Sequence, residues 1–414
     1  MSNLKYLKCV LCHKEYLESE VLYTCPDCGE AGLLDVYYDY TKAAQELNRQ
    51  SLASNQDYSI FRYQPLLPIE KASKYLPLQI GWTPLYHPER LGLELGIKKL
   101  YLKDDGRNPS ASFKDRASAI AVVRAMEKGI DLITCASTGN AASSLACLSA
   151  SVGLKNWIFV PEQAPAAKIA QLLIYGAEVI KVRGTYDQAF DLSLLATKKW
   201  GWYNRSTGIN PYLLEGKKTC ALELAEQRSW KVPDQVVVSV GDGCIIAGLW
   251  KGFYDLRQIG LTDKMPRLIG VQAEGSAPLA KAFWEKKPVE PIIPETIADS
   301  ISVGRPRAAA QALRAVQDSG GDFVTVSDAE ILAAMNILAL KAGVFGEPAG
   351  VTGFAGLLKL VRSRQVDPED EIVALVTGNG LKDVGSAMRA VGREPYVIDP
   401  KMEDVEKLIE NIAI

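Results

Sequence analysis

Leu132-Ile-Thr-Cys-Ala-Ser-Thr-Gly-Asn140 leads straight into Ala141-Ala-Ser-Ser-Leu-Ala-Cys-Leu-Ser-Ala150. A short apolar run with β-branched residues gives way to a polar turn, then to small residues at helical spacing. This predicts a strand over 132–135, a loop, and a helix over 141–152. The same unit recurs on either side. Further strands are expected at 99–103, 157–160, 179–182, 236–240, 268–272, 323–326 and 372–376. Helical patterns fall between them, at 117–128, 166–175, 186–199, 217–230 and 328–341. Alternation at this spacing predicts an α/β fold, with parallel sheets covered by helices on both faces. At roughly 100–200 residues per domain, the 414 residues are expected to form two or three domains, with two sheets in place of one.

The composition removes several function classes. Forty-seven Lys and Arg balance forty-nine Asp and Glu, so no general pull toward nucleic acid or an anionic membrane is expected. The chain is 48% hydrophobic, enough for a full core. His13 and His87 are the two histidines, which excludes a multi-histidine metal site or a histidine relay. The first residues, Met1-Ser-Asn-Leu-Lys-Tyr-Leu-Lys-Cys9, lack the apolar stretch of a secretory signal. No window is apolar for the eighteen residues or so that a membrane span needs. A cytoplasmic protein is the expectation, and its cysteines are then read as thiols or metal ligands.

Four of the eight cysteines fall together as Cys9, Cys12, Cys25 and Cys28, in a C-x2-C-x12-C-x2-C pattern. Two such turns can aim four thiolates at one ion. The spacing predicts a zinc ribbon over 1–40 with a structural zinc, since four thiolates leave no open position for catalysis. The alternatives are a degenerate ribbon that has lost its metal, or reduced cysteines in a small hairpin. Cys135, Cys147, Cys220 and Cys244 stand singly.

In parallel sheets, ligands bind where strands end and helices begin. Asn108-Pro-Ser-Ala-Ser-Phe-Lys-Asp-Arg116 places Lys114 at a helix N-terminus, where the dipole disfavours an ammonium. That suits a nucleophilic lysine, although a solvated lysine is the commoner outcome there. Ser137-Thr-Gly-Asn140 offers hydroxyls, an amide and backbone N–H groups to an anion such as a carboxylate, or is a plain helix cap. Val240-Gly-Asp-Gly-Cys-Ile-Ile-Ala-Gly248 can wrap a phosphate. Its glycines are neither those of a dinucleotide loop nor those of a Walker A loop. Thr377, in Val376-Thr-Gly-Asn-Gly-Leu-Lys-Asp383, sits at a strand end where its hydroxyl can meet a ligand.

Together these loops resemble the fold-type II pyridoxal-phosphate enzymes, and within them threonine synthase. The resemblance runs from Gly81-Trp-Thr-Pro-Leu85 to about Gly385 and takes in six further motifs. They are Ser112-Phe-Lys-Asp-Arg116, Ser137-Thr-Gly-Asn140, Leu214-Glu-Gly-Lys-Lys-Thr219, Ile301-Ser-Val-Gly304, Gly346-Glu-Pro-Ala349 and Thr377-Gly-Asn-Gly-Leu-Lys-Asp383. The implied fold is α/β, of the tryptophan synthase β-subunit-like kind, with two parallel or mixed sheet domains and the small N-terminal zinc ribbon. The large domain would comprise 41–108 and 206–414, and 109–205 would form a small mobile domain.

The resemblance also implies roles. Lys114 would carry pyridoxal 5′-phosphate as a Schiff base and serve as the base for the substrate's Cα proton. Asn140 would bind the pyridine 3′-oxygen, and Thr377 would face the ring nitrogen. Gly241, Asp242, Gly243, Cys244 and Ile245 would hold the cofactor phosphate. Ser137, Thr138 and Gly139 would receive the substrate carboxylate, and Lys168 would lie near the substrate phosphate. A neutral hydroxyl at the ring nitrogen makes a weaker electron sink, which favours elimination and replacement over transamination. The implied activity is that of a lyase converting O-phosphohomoserine to threonine, in a homodimer. The chain departs from the family pattern at Ala141, at Leu213 in place of a phosphate-binding arginine, and at Asp242 and Cys244. Arg205 and Arg183 are the candidates to supply the missing charge. These departures leave open an ammonia-lyase or dehydratase, or a β-replacement synthase, acting on an unphosphorylated amino acid.

Overall fold

A computed structural model describes residues 2–70, 76–137, 139–164, 166–206 and 208–412, without the side chains of residues 166 and 167. The chain opens with a three-stranded antiparallel sheet of β1 (Leu4–Cys9), β2 (Glu15–Tyr16) and β3 (Leu34–Tyr38), in the order β2-β1-β3. It then enters a larger sheet with β4 (Leu85–Tyr86) and β5 (Lys99–Asp104). From there it leaves to build a separate sheet of β6 (Leu132–Ala136), β7 (Lys155–Pro161), β8 (Glu178–Val182) and β9 (Tyr203–Asn204). It returns to the large sheet with β10 (Gln235–Ser239), β11 (Arg267–Ala273), β12 (Asp322–Val326) and β13 (Glu371–Val376). The large sheet has the order β12-β11-β10-β13-β5-β4 and is parallel except at its β4 edge. The second sheet, β8-β7-β6-β9, is wholly parallel.

All eight strands expected from the sequence form, with ends displaced by a residue or two. The helix expected at 217–230 instead runs Tyr212–Gln227. Pro211 precedes its first turn, where proline's missing N–H costs nothing. Ser229 and Trp230 take positive φ values of 54° and 68°, which end the helix before them. The helix Pro348–Arg362 is not among those expected from the sequence. It lies directly on the large sheet because glycines face the strands. A Cβ on Gly353 would stand 3.1 Å from the Val238 Cα.

The helix Tyr212–Gln227 is buried along nearly its whole length and carries charge into the core. Glu223 accepts from Arg116 Nη1 at 2.6 Å and from Lys103 Nζ at 2.9 Å. Arg116 Nε also donates to Asp105 Oδ2 at 2.6 Å. Burial raises the Glu223 carboxyl, but Arg116 and Lys103 outweigh it and hold the group at about 2. This lattice fixes the start of the helix Lys114–Glu127, because Arg116 belongs to its first turn. A second buried set joins Lys218, Asp255 and Lys251. The N-terminal sheet is tied onto it: the Tyr38 hydroxyl donates to Glu215 Oε2 at 2.6 Å, and that of Tyr40 to Asp255 Oδ1 at 2.7 Å. Among the described residues, no helix is long and apolar enough to cross a membrane.

Candidate active site

A cavity of about 380 Å³ opens where the C-terminal ends of the two parallel sheets meet. This is the position at which open α/β sheets bind ligands, and the volume is in the range of small-molecule sites. Lys114, the first residue of the helix Lys114–Glu127, is half-buried and borders the cavity. Burial, then Lys217 and Arg205, push its ammonium down to about 8. Asn140 begins the helix Asn140–Val152 after β6, and its amide Nδ2 donates to Glu347 Oε1. Ser137 and Gly139 border the cavity beside it. Thr138 lies outside the described residues.

On the facing wall, β10 passes into Gly241–Ile245 and the helix Cys244–Gln258. Gly243 has φ +90°, a backbone angle that favours glycine, and a Cβ there would meet Ala312 Cβ at 2.5 Å. The first turn of this helix leaves its backbone N–H groups without intrahelical partners. Asp242 braces a neighbouring segment: its Oδ1 accepts the Arg307 N–H at 3.2 Å, and its carbonyl accepts that of Ala308 at 3.0 Å.

Two expected residues stand outside the cavity wall. Thr377 is buried after β13, and its carbonyl accepts the Phe113 N–H at 2.9 Å, which ties it to the residue preceding Lys114. Lys168 pairs with Asp299 across the mouth, its Nζ 3.9 Å from where a Cβ on Gly139 would lie. Arg183 is absent from the cavity wall, whereas Arg205 and Lys217 are buried cations on it. Lys217 and Glu347 have no role expected from the sequence. Both lie within motifs quoted above, but no spacing rule distinguishes a buried charge from an exposed one.

In the N-terminal sheet, the thiol sulfurs of Cys9, Cys12, Cys25 and Cys28 all lie within 4.8 Å of one another. Cys12 and Cys25 Sγ are 3.7 Å apart.

Comparison with known proteins bears on this arrangement. The family described as "Pyridoxal-phosphate dependent enzyme" matches residues 76–378. A threonine synthase of Methanocaldococcus jannaschii is 41% identical over 98% of this chain and 99% of its own. One of Methanosarcina acetivorans is 40% identical over 98% of each chain. The chain belongs to the threonine synthase family of pyridoxal-phosphate dependent enzymes.

Solved structures of this wider fold agree with the architecture. Maize serine racemase superposes with a TM-score of 0.65 at 21% identity, over 80% of this chain and 94% of that one. The processed form of threonine deaminase isoform 2 from Solanum lycopersicum gives 0.62 at 23% identity, over 75% and 87%. The site suits the family's cofactor. Lys114 supplies an amine that burial and its cationic neighbours make easier to free than an ordinary lysine's, for an aldehyde carbon. The glycine-bearing turn and helix N-terminus supply N–H groups for a phosphate. As a member of a pyridoxal-phosphate lyase family, the chain acts on a small amino-acid substrate.

Proposed function

We propose that the chain converts O-phosphohomoserine and water to threonine and phosphate. Near full-length similarity to threonine synthases supports this reading. The observation that carries it is Lys114, a lysine of lowered basicity at a helix N-terminus, set between two anion-receiving turns in one cavity. Pyridoxal phosphate, when bound, supplies the electron sink for the Cα carbanion. Lys114 would be its attachment point and would take the Cα proton. Asn140 orients the ring oxygen with its second amide hydrogen, the first being held by Glu347. Thr377 would offer its hydroxyl to the ring nitrogen. Ser137, Thr138 and Gly139 hold the substrate carboxylate, and residues 241–245 hold the cofactor phosphate. Lys168 waits near the substrate phosphate, paired with Asp299. In the net reaction the bond from Cγ to the phosphate oxygen breaks with its electron pair, Cβ loses one hydrogen and Cγ gains one, and water supplies the hydroxyl at Cβ.

Three further assignments belong to this reading. Thiolates about 2.3 Å from a zinc ion would stand roughly 3.8 Å apart. The 3.7 Å separation of Cys12 and Cys25 fits a structural zinc held by Cys9, Cys12, Cys25 and Cys28. Residues 109–205, which carry the second sheet, form a small domain that closes over the cofactor. The enzyme works as a cytoplasmic homodimer.

Leu213 and Asp242 favour keeping one second reading in the test, a lyase acting on an unphosphorylated amino acid. Purified enzyme should be offered O-phosphohomoserine, threonine, serine and O-acetylserine in parallel. Threonine and inorganic phosphate in equal amounts from the first are expected. Ammonia and a keto acid from an unphosphorylated substrate, with no threonine from O-phosphohomoserine, would overturn the assignment.

A further inference from the structure

Arg205 is 0% exposed and borders the active-site cavity, yet neither Nη1 nor Nη2 has a hydrogen-bond partner among the described residues. Its Nε donates to Ser118 Oγ at 2.9 Å, which fixes the guanidinium against the Lys114 helix. Its own N–H donates to the Thr134 carbonyl at 2.8 Å, at the end of the small sheet. Lys217 is 1% exposed, borders the same cavity and faces the Cys244 thiol at the first turn of the opposite helix. Buried charges of this kind are normally paired, because leaving water without a counter-ion is costly.

Among the described residues, no carboxylate does the pairing. Asp115 is engaged by the Ser110 N–H at 2.7 Å, and Asp242 by the Arg307 N–H. Cys135, Cys244 and Tyr186, the other groups that Arg205 feels, are held in their neutral forms by burial. Asp187 and Asp299 also border the cavity, but they are matched by Arg307 and Lys168. Lys217 and Arg205 are thus left without an ion-pair partner among the described residues, the carboxylate of Asp242 being shared with Lys114. Unpaired positive charge buried on the cavity wall suits an anion. Leu213, one turn before Lys217, is buried and apolar and brings no charge.

We propose that Arg205 and Lys217 form a clamp for a phosphomonoester dianion, one from the small sheet and one from the core helix, beside Lys114. The guanidinium offers two parallel donors, the geometry that suits phosphate oxygens. Lys217 meets the same anion from the helix N-terminus at Cys244, which itself favours negative charge. This deepens the proposed function and rests on its placing of the cofactor in this cavity. The phosphate that fills the clamp is the cofactor's or the substrate's.

The test uses the full-length chain, freed of cofactor, with Arg205→Met, Arg205→Lys and Lys217→Gln. Inorganic phosphate is the first probe, read as a rise in melting temperature. It should stabilise the wild type and lose at least tenfold in affinity in Arg205→Met and Lys217→Gln, with partial recovery in Arg205→Lys. Reconstitution with pyridoxal phosphate and with phosphate-free pyridoxal, followed by absorbance, separates the sources. If the clamp holds the cofactor, the variants lose tenfold or more for pyridoxal phosphate and little for pyridoxal. If it holds the substrate, cofactor uptake is kept and KM for O-phosphohomoserine rises more than kcat falls. Folded variants that bind inorganic phosphate, cofactor and phosphorylated substrate as the wild type does would overturn the clamp. A wild type that binds inorganic phosphate through Arg205 but takes up no cofactor would keep the clamp and refute the cofactor reading.

Discussion

Lys114 sits where burial and two cations push its ammonium toward the free amine. Only the free amine attacks an aldehyde, so covalent uptake of pyridoxal phosphate should speed up as pH rises and level off above about 8. An unshifted lysine would still be gaining near 10.5. Lys217 is the larger of the two cationic contributions, so Lys217→Gln should move the inflection upward. Stopped-flow absorbance across pH measures both. The same shift has a sign for folding. Between about 8 and 10.5 the unfolded chain holds this proton and the folded one does not, so the contribution of Lys114 to stability rises with pH over that window. At this scale the sequence is readable wherever chemistry lies in a loop. Lys114, Asn140 and Gly241–Ile245 stand out because each follows a strand and opens a helix. Arg205, just after β9, and Lys217, on a helix, can be named but not ranked, since charges in such places are ordinarily solvent-facing, and only packing tells that these are not. Asp242 reads in the sequence as a repulsion facing a phosphate. In the structure its oxygens brace the backbone of 307–308.

The helix Lys114–Glu127 keeps its first turn in place through Arg116, and through it Glu223, Asp105 and Lys103. Arg116→Met leaves Asp105 buried without its cation and Glu223 with Lys103 alone, which should cost about 3–5 kcal/mol. Urea unfolding monitored by far-ultraviolet circular dichroism checks this. A loss under about 1 kcal/mol would show that the network is not what holds the helix. The Glu223 carboxyl, held at about 2, adds a pH window of its own. Its contribution is complete above the ordinary 4.5 and is lost as pH falls toward 2. Element boundaries are legible where apolar runs alternate cleanly. The helix Pro348–Arg362 is not, because Gly350, Gly353 and Gly356 lower intrinsic helix preference by about 1 kcal/mol each. Those glycines are needed for close approach to β10, β11 and the residues after β13, a tertiary reason that no local pattern carries.

Across the whole molecule, the two parallel sheets meet around the cofactor cavity and the N-terminal sheet is built onto them. That sheet is not a detached appendage. Tyr38 and Tyr40 reach the buried carboxylates of the large unit, and the Tyr23 hydroxyl accepts the Asn204 N–H at 2.7 Å. Leu33 packs with Cys244 and Ala308, beside the Gly241–Ile245 turn. If Cys9, Cys12, Cys25 and Cys28 hold zinc as proposed, a chelator should therefore lower the melting temperature and also weaken cofactor retention, read as loss of visible absorbance on gel filtration. Loss of zinc with unchanged melting and absorbance would show that the ribbon and the site are independent. The two-sheet α/β plan is legible from alternation alone. The seat of the ribbon is not, since nothing in C-x2-C spacing says which core helix its tyrosines reach.

The central claim is Lys114 as the point of cofactor attachment. Borohydride reduction of the holoenzyme, followed by proteolysis and mass spectrometry, tests it directly. A single phosphopyridoxyl adduct on Lys114 is expected. An adduct on Lys217 or another lysine, or no adduct on a protein that carries out the reaction, would contradict it.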